Sequence, residues 1–201
     1  MRHLFTLCIF AAIVWGLIAW VKGPSIRTAA GVLAPDEPLQ EMCPAQAVAK
    51  IKDYTVTAVA TYTIRARVLH TKHYWADGSD LVPYDVALGW GRMSDQSVLD
   101  HLELSQGNRF FFYHWQTAPP IPQEEIACHS SNNHLIAANG DVREVIRGLY
   151  PGEIVTMKGY LANVSGPNGF YWNTSLARTD TGKGACEVFY VVGIKAERPG
   201  K

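Results

Sequence analysis

Tyr54-Thr55-Val56-Thr57-Ala58-Val59-Ala60-Thr61-Tyr62-Thr63-Ile64-Arg65-Ala66-Arg67-Val68 is the stretch whose reading decides the fold. Its even positions carry Tyr, Val, Ala and Ile. Its odd positions are mostly Thr and Arg. A period of two in a run rich in β-branched residues predicts a strand with one wet face. The run exceeds the usual strand of about five or six residues. That length suits the first strand of a small, strongly curved barrel, where one strand serves two sheets.

The neighbouring segments agree with a mostly β domain. Short strands are expected over Val82–Trp90, Phe110–Trp115, Ile154–Val164, Phe170–Leu176 and Cys186–Ile194. Phe110–Trp115 is the densest aromatic run in the chain and reads as a buried strand. Gly159 inside a strand predicts a bulge or a close backbone approach. Ser165-Gly166-Pro167-Asn168-Gly169 reads as a turn. Two short helices are expected, one after a Ser94 cap and one over Asp141–Leu149. Cys128–His134 reads as a polar loop. No βαβ alternation is present, so the expected fold is a small OB-like, Greek-key barrel with two short helices.

Before the domain comes Leu4–Val21, eighteen residues without a charge. As a helix it would span roughly 27 Å, close to a bilayer core of about 30 Å. Residues 1–22 therefore read as a signal anchor, inserted through residues 4–21. The other reading is a cleavable signal peptide ending near Thr28-Ala29-Ala30, from which Lys22 and Arg27 detract. Residues 23–50 are punctuated by Pro and Gly and read as a tether, with a weak helix over Leu39–Met42. The β domain is expected over 51–195, with a frayed tail at 196–201. The expected location is a single-pass membrane protein with a periplasmic-type C-terminal domain.

Charge narrows the partners. The formal net charge is zero and charged residues make up 18% of the chain. Nucleic-acid binding usually needs a basic excess or face, so no nucleic-acid partner is expected. Three cysteines follow the apolar run. In an oxidising compartment one pair is expected to bridge, and Cys128 with Cys186 is preferred among the three pairings. Cys43, before Pro44, is then the free or intermolecular thiol, and a thiol-based role would rest on it.

The candidate chemistry lies in the histidines. His70 and His73 close the long first strand, and Cys128, His129 and His134 lie within seven residues. Zinc takes three or four such ligands, so His70, His73, His129 and His134 are the candidate set for a zinc hydrolase. No HExxH or CxxC supports it. The plainer reading is loop histidines bonded to their surroundings and no cofactor. Tyr74, Trp75, Trp115 and Trp172 stand at predicted strand ends and form a candidate binding rim. The combined expectation is a membrane-tethered, extracytoplasmic binding or accessory module with a membrane or envelope protein as partner.

Overall fold

The computed structural model describes residues 25–76, 78–180, 182 and 184–200. The expected anchor at 4–21 lies outside the described residues. Among the described residues, no helix is long and apolar enough to cross a membrane.

The described chain is mostly β sheet with a few short helices. Its strands are β1 (Leu39–Ile51), β2 (Tyr54–His73), β3 (Tyr84–Gly89), β4 (Glu103–Gly107), β5 (Phe110–His114), β6 (Ser130–Ala137), β7 (Ile154–Ser165), β8 (Tyr171–Trp172) and β9 (Glu187–Glu197). The helices are α1 (Gln96–Leu99), α2 (Gln123–Cys128) and α3 (Gly140–Arg147). A 3-10 turn over Gly91–Ser94 leads into α1.

β2 is the spine. Val56, Ala58, Ala60, Tyr62, Ile64, Ala66 and Val68 are all buried, while Thr61, Thr63 and Arg65 are exposed. The period-two pattern thus turns one face inward. β2 pairs with β3 on one edge and β7 on the other. β3 pairs with β6, β6 with β9, and β9 with β7. Five strands, β2-β3-β6-β9-β7, therefore form a closed ring of pairings that returns to β2. Only β6–β9 is parallel. Tyr62, Ile64, Leu88, Trp90, Leu135, Met157 and Phe189 fill the interior, and Val142 and Ile146 of α3 join them. Asn139 caps α3 by accepting from the Val142 amide. Gly159 lies where the β7–β9 register slips, as expected. A Cβ there would stand 2.0 Å from the Tyr190 carbonyl oxygen.

Several expectations are corrected. Residues 23–50 do not form a loose tether where they are described. Leu39–Ile51 is β1, paired along the first half of β2 and not helical at Leu39–Met42. Residues 26–37 are strapped onto the domain. Arg67, only 2% exposed, donates to the carbonyls of Ile26 and Ser94 and to Gln96 Oε1. Ser94 is not the helix cap. Its hydroxyl accepts from the Leu33 and Ala34 amides, and Asp95 caps α1 instead. The tail is a strand as far as Glu197. The return strand shrinks to Tyr171–Trp172, and a third helix, α2, was not expected.

Two corrections concern the central stretch. Phe110–His114 is not buried in the main sheet. It pairs with β4 in a separate hairpin, and Phe112 is 52% exposed. The expected loop Cys128–His134 is mostly β6, buried between β3 and β9. A strand covered on both faces shows no alternation. Polar residues could occupy it because each finds a partner inside, as with Asn133 Nδ2 on Ser131 Oγ at 2.9 Å.

Candidate functional site

The site grows from a two-residue turn. β4 and β5 are joined through Asn108 and Arg109, at φ 51° and 69°. Such a hairpin turn wants positive φ at both central residues, so Asn or Gly is usual and Arg is strained. The strain is held by neighbours. The Arg109 amide donates to Tyr74 Oη at 3.0 Å, and its carbonyl accepts from Asn132 Nδ2 at 2.9 Å. The Cys186 thiol donates to the same carbonyl at 3.7 Å. The guanidinium lies over the Tyr74 ring, 3.9 Å from its centre, with the Trp172 ring at 5.6 Å.

Beneath Arg109 is Asp85 of β3, which is fully buried. Its Oδ1 accepts from Arg109 Nη1 and meets His134 Nδ1, each at 2.9 Å. A buried carboxylate needs such partners, since leaving one unpaired costs several kcal/mol. The His134 ring in turn meets the Trp172 ring at 4.6 Å. A second chain of bonds supports the floor. Gln106 Nε2 donates to Asn132 Oδ1, and Gln106 Oε1 meets His70 Nδ1 at 2.9 Å.

Above this floor is a cleft of about 380 Å³ lined by Arg109, Phe110, His134, Trp172, Asn173 and Cys186, with Tyr171 at its edge. Tyr171 is 73% exposed. A second cleft of about 390 Å³ shares Phe110 and Cys186 with the first and runs along β5 to α2. Burial pushes the Cys186 thiol up to about 11, against the lowering effect of Asn132. It is therefore protonated and unreactive at neutral pH.

The sequence-predicted residues divide here. His134, Tyr74 and Trp172 meet at the cleft, and His70 supports it through Gln106. His73 is stacked between Trp75 and Tyr84. His129 pairs with Glu37, Nε2 to Oε1 at 3.0 Å, and with the Glu125 carbonyl. Among the described residues, no group of three or more His, Cys, Asp or Glu is placed to hold a metal ion. Each of the four histidines has a different partner. Trp75 stands apart, 85% exposed, and Trp115 stacks on Tyr113 of the hairpin. The expected Cys128–Cys186 bridge is not formed. Both are free thiols, as is Cys43, and the Cys186 sulfur is engaged by Asn132 and Arg109.

Sequence reasoning missed Asp85 and Arg109. The available signal was Asn108-Arg109 set between two strand-like runs, a hairpin spacing that places Arg109 at a tip.

Next to Cys186 in sequence, Glu187 is buried against Arg178. Arg178 pairs with Glu187 and with Gln40 of β1. Burial pushes the Glu187 carboxyl up to about 7, despite the opposing pull of Arg178. Its unperturbed value is 4.5, so folding takes up a proton between the two values. Stability is then greatest below that window and falls as pH rises through 7. Glu187→Gln removes this slope. Between pH 5 and pH 8, urea denaturation should show the wild type losing about 1–3 kcal/mol more than the variant. Equal slopes would contradict the assignment.

No protein-family model, curated protein or solved structure matches the chain.

Proposed function

We propose that this chain is a membrane-tethered, extracytoplasmic binding module built on an OB-like Greek-key barrel. The cleft under Arg109 receives a segment of an envelope protein. The observation that carries the reading is where that cleft lies. OB barrels bind ligands over their second and third strands, between the loops that follow the first and fourth. In the closed ring those strands are β3 and β6, which supply Asp85 and His134. The loop after β2 supplies Tyr74, and the segment between β7 and β9 supplies Tyr171, Trp172 and Asn173. Arg109 enters from the hairpin inserted between β3 and β6.

The composition of the cleft favours a protein ligand. Trp, Tyr and Arg dominate the energetics of protein interfaces. Zero net charge and the pairing of Arg109 with Asp85 argue against a polyanion. The strained backbone at Arg109 supports function, since strain of this kind concentrates at binding sites. The eighteen uncharged residues at 4–21 support the tether and the extracytoplasmic location.

The test is retention of a membrane partner by the full chain in mild detergent. Tyr171→Ala and Trp172→Ala should each weaken retention about tenfold or more, and Tyr171→Ala should leave the melting temperature unchanged. Lys158→Ala, on an exposed face of β7, should retain the partner. Equal retention by all three variants would overturn the reading.

A further inference from the structure

The strap removes the slack that a tether would give. The Ile26 amide donates to the Pro151 carbonyl at 2.8 Å, and Arg67 holds the Ile26 carbonyl and the Thr28 hydroxyl. The Gly31 amide donates to Asp95, the Leu33 carbonyl accepts from Arg65, and the Ala34 carbonyl accepts from the Gly91 amide. Gly152, at φ +96°, lies so close that a Cβ there would stand 2.1 Å from the Ile26 carbonyl oxygen. The chain is thus fixed to the domain from Ile26 onward. From Val21, the end of the apolar run, to Ile26 is five residues. Even fully extended, five residues reach no more than about 18 Å.

We infer that the domain stands on the bilayer surface on its Tyr150–Glu153 end, with the Arg109 cleft held at a fixed height on the far side. The inference rests on the anchor reading of residues 4–21. The occupant of this end is the lipid headgroup layer. Short chain length, not charge, brings it there. Among the described residues the neighbouring cations are already paired, Arg198 with Glu153, Arg147 with Glu144 and Arg27 with Asp100, so they add little attraction to anionic lipid. β7 leaves this end at Ile154 and meets Trp172 at Val164. Ten residues of strand carry the chain roughly 33 Å, less any tilt. Trp172 and Tyr171 therefore face away from the membrane, towards a partner that extends a comparable distance above it.

The experiment uses the full chain in nanodiscs of neutral phosphatidylcholine carrying a headgroup spin label. A fluorescent unnatural amino acid is placed at position 147 or at position 171. Quenching at 147 should exceed that at 171 at least twofold, and anionic lipid should not change it. Inserting ten Gly/Ser residues between Lys22 and Gly23 alters no described residue and should bring quenching at 147 down to that at 171. Equal quenching without the insertion, or quenching at 147 that survives it, overturns the inference. Alkaline extraction of the same sample separates the two premises. A chain washed off the membrane refutes the anchor, whereas a retained chain without quenching at 147 refutes the stand-off alone.

Discussion

Gly159→Ala should destabilise the domain by about 3 kcal/mol or more. A Cβ at this position would stand 2.0 Å from the Tyr190 carbonyl oxygen and 3.0 Å from the Val192 amide nitrogen. Both atoms are backbone, so no side chain can turn aside. The contact sits at the slip in the β7–β9 register, and β7 also pairs with β2 along twelve residues. Relief would have to move a strand that two neighbours hold. Urea denaturation measures the loss directly. A cost below about 1 kcal/mol would mean that the bulge yields easily and that the ring is not closed tightly there.

Arg67→Ala should cost a similar amount, about 3–5 kcal/mol. Arg67 is a buried cation whose hydrogen bonds go to carbonyl, hydroxyl and amide oxygens on three segments: the strap, the 3-10 turn and α1. Burial lowers its pKa from the ordinary arginine value, opposed by the nearby Asp100 and Asp95. Truncation would leave the Ile26 and Ser94 carbonyls short of a donor in the interior, while Gln96 Oε1 would keep the Thr28 amide. Hydrogen exchange distinguishes this variant from Gly159→Ala. In Arg67→Ala the amides of Ile26, Gly31 and Ala34 should lose protection beyond the global change. Uniform loss across the domain would show that the strap is not held by this residue.

The two residues illustrate what the sequence could and could not reveal. β2 was legible because one of its faces is wet. Thr61, Thr63 and Arg65 alternate with buried Tyr62 and Ile64, and the period of two survives for most of its length. Arg67 continues the same alternation in sequence, yet it is buried, because the strap covers that part of the outer face. Nothing periodic announces the strap. Its contacts are backbone groups meeting Ser94, Asp95 and Arg67 from some forty to seventy residues away. The prolines and glycines that suggested slack instead shape an ordered path.

β6 was illegible for the opposite reason. Ser130-Ser131-Asn132-Asn133-His134 has the composition of a loop, and it lies between two strands. Its polar side chains find partners inside, among them Ser131, Val86, Gln106 and Asp85, although Asn133 Oδ1 is left without one. Of the candidate rim, Tyr74 and Trp172 joined the cleft because each follows the end of a ring strand or pairs beside one. Trp115 was drawn into the hairpin that carries it. The zinc set failed to converge for the same topological reason. His70 and His73 leave β2 in different directions, and His129 ends α2 on the side occupied by Glu37.

The cleft remains the centre of the account, and crosslinking from its edge tests it most directly. A benzoylphenylalanine at position 171 of the full chain would be irradiated in intact cells, beside the same group at position 158. A single protein adduct of defined mass from position 171, absent from position 158, is the predicted result. Adducts formed equally from both positions, or none from 171, would contradict the assignment of this cleft as the binding face.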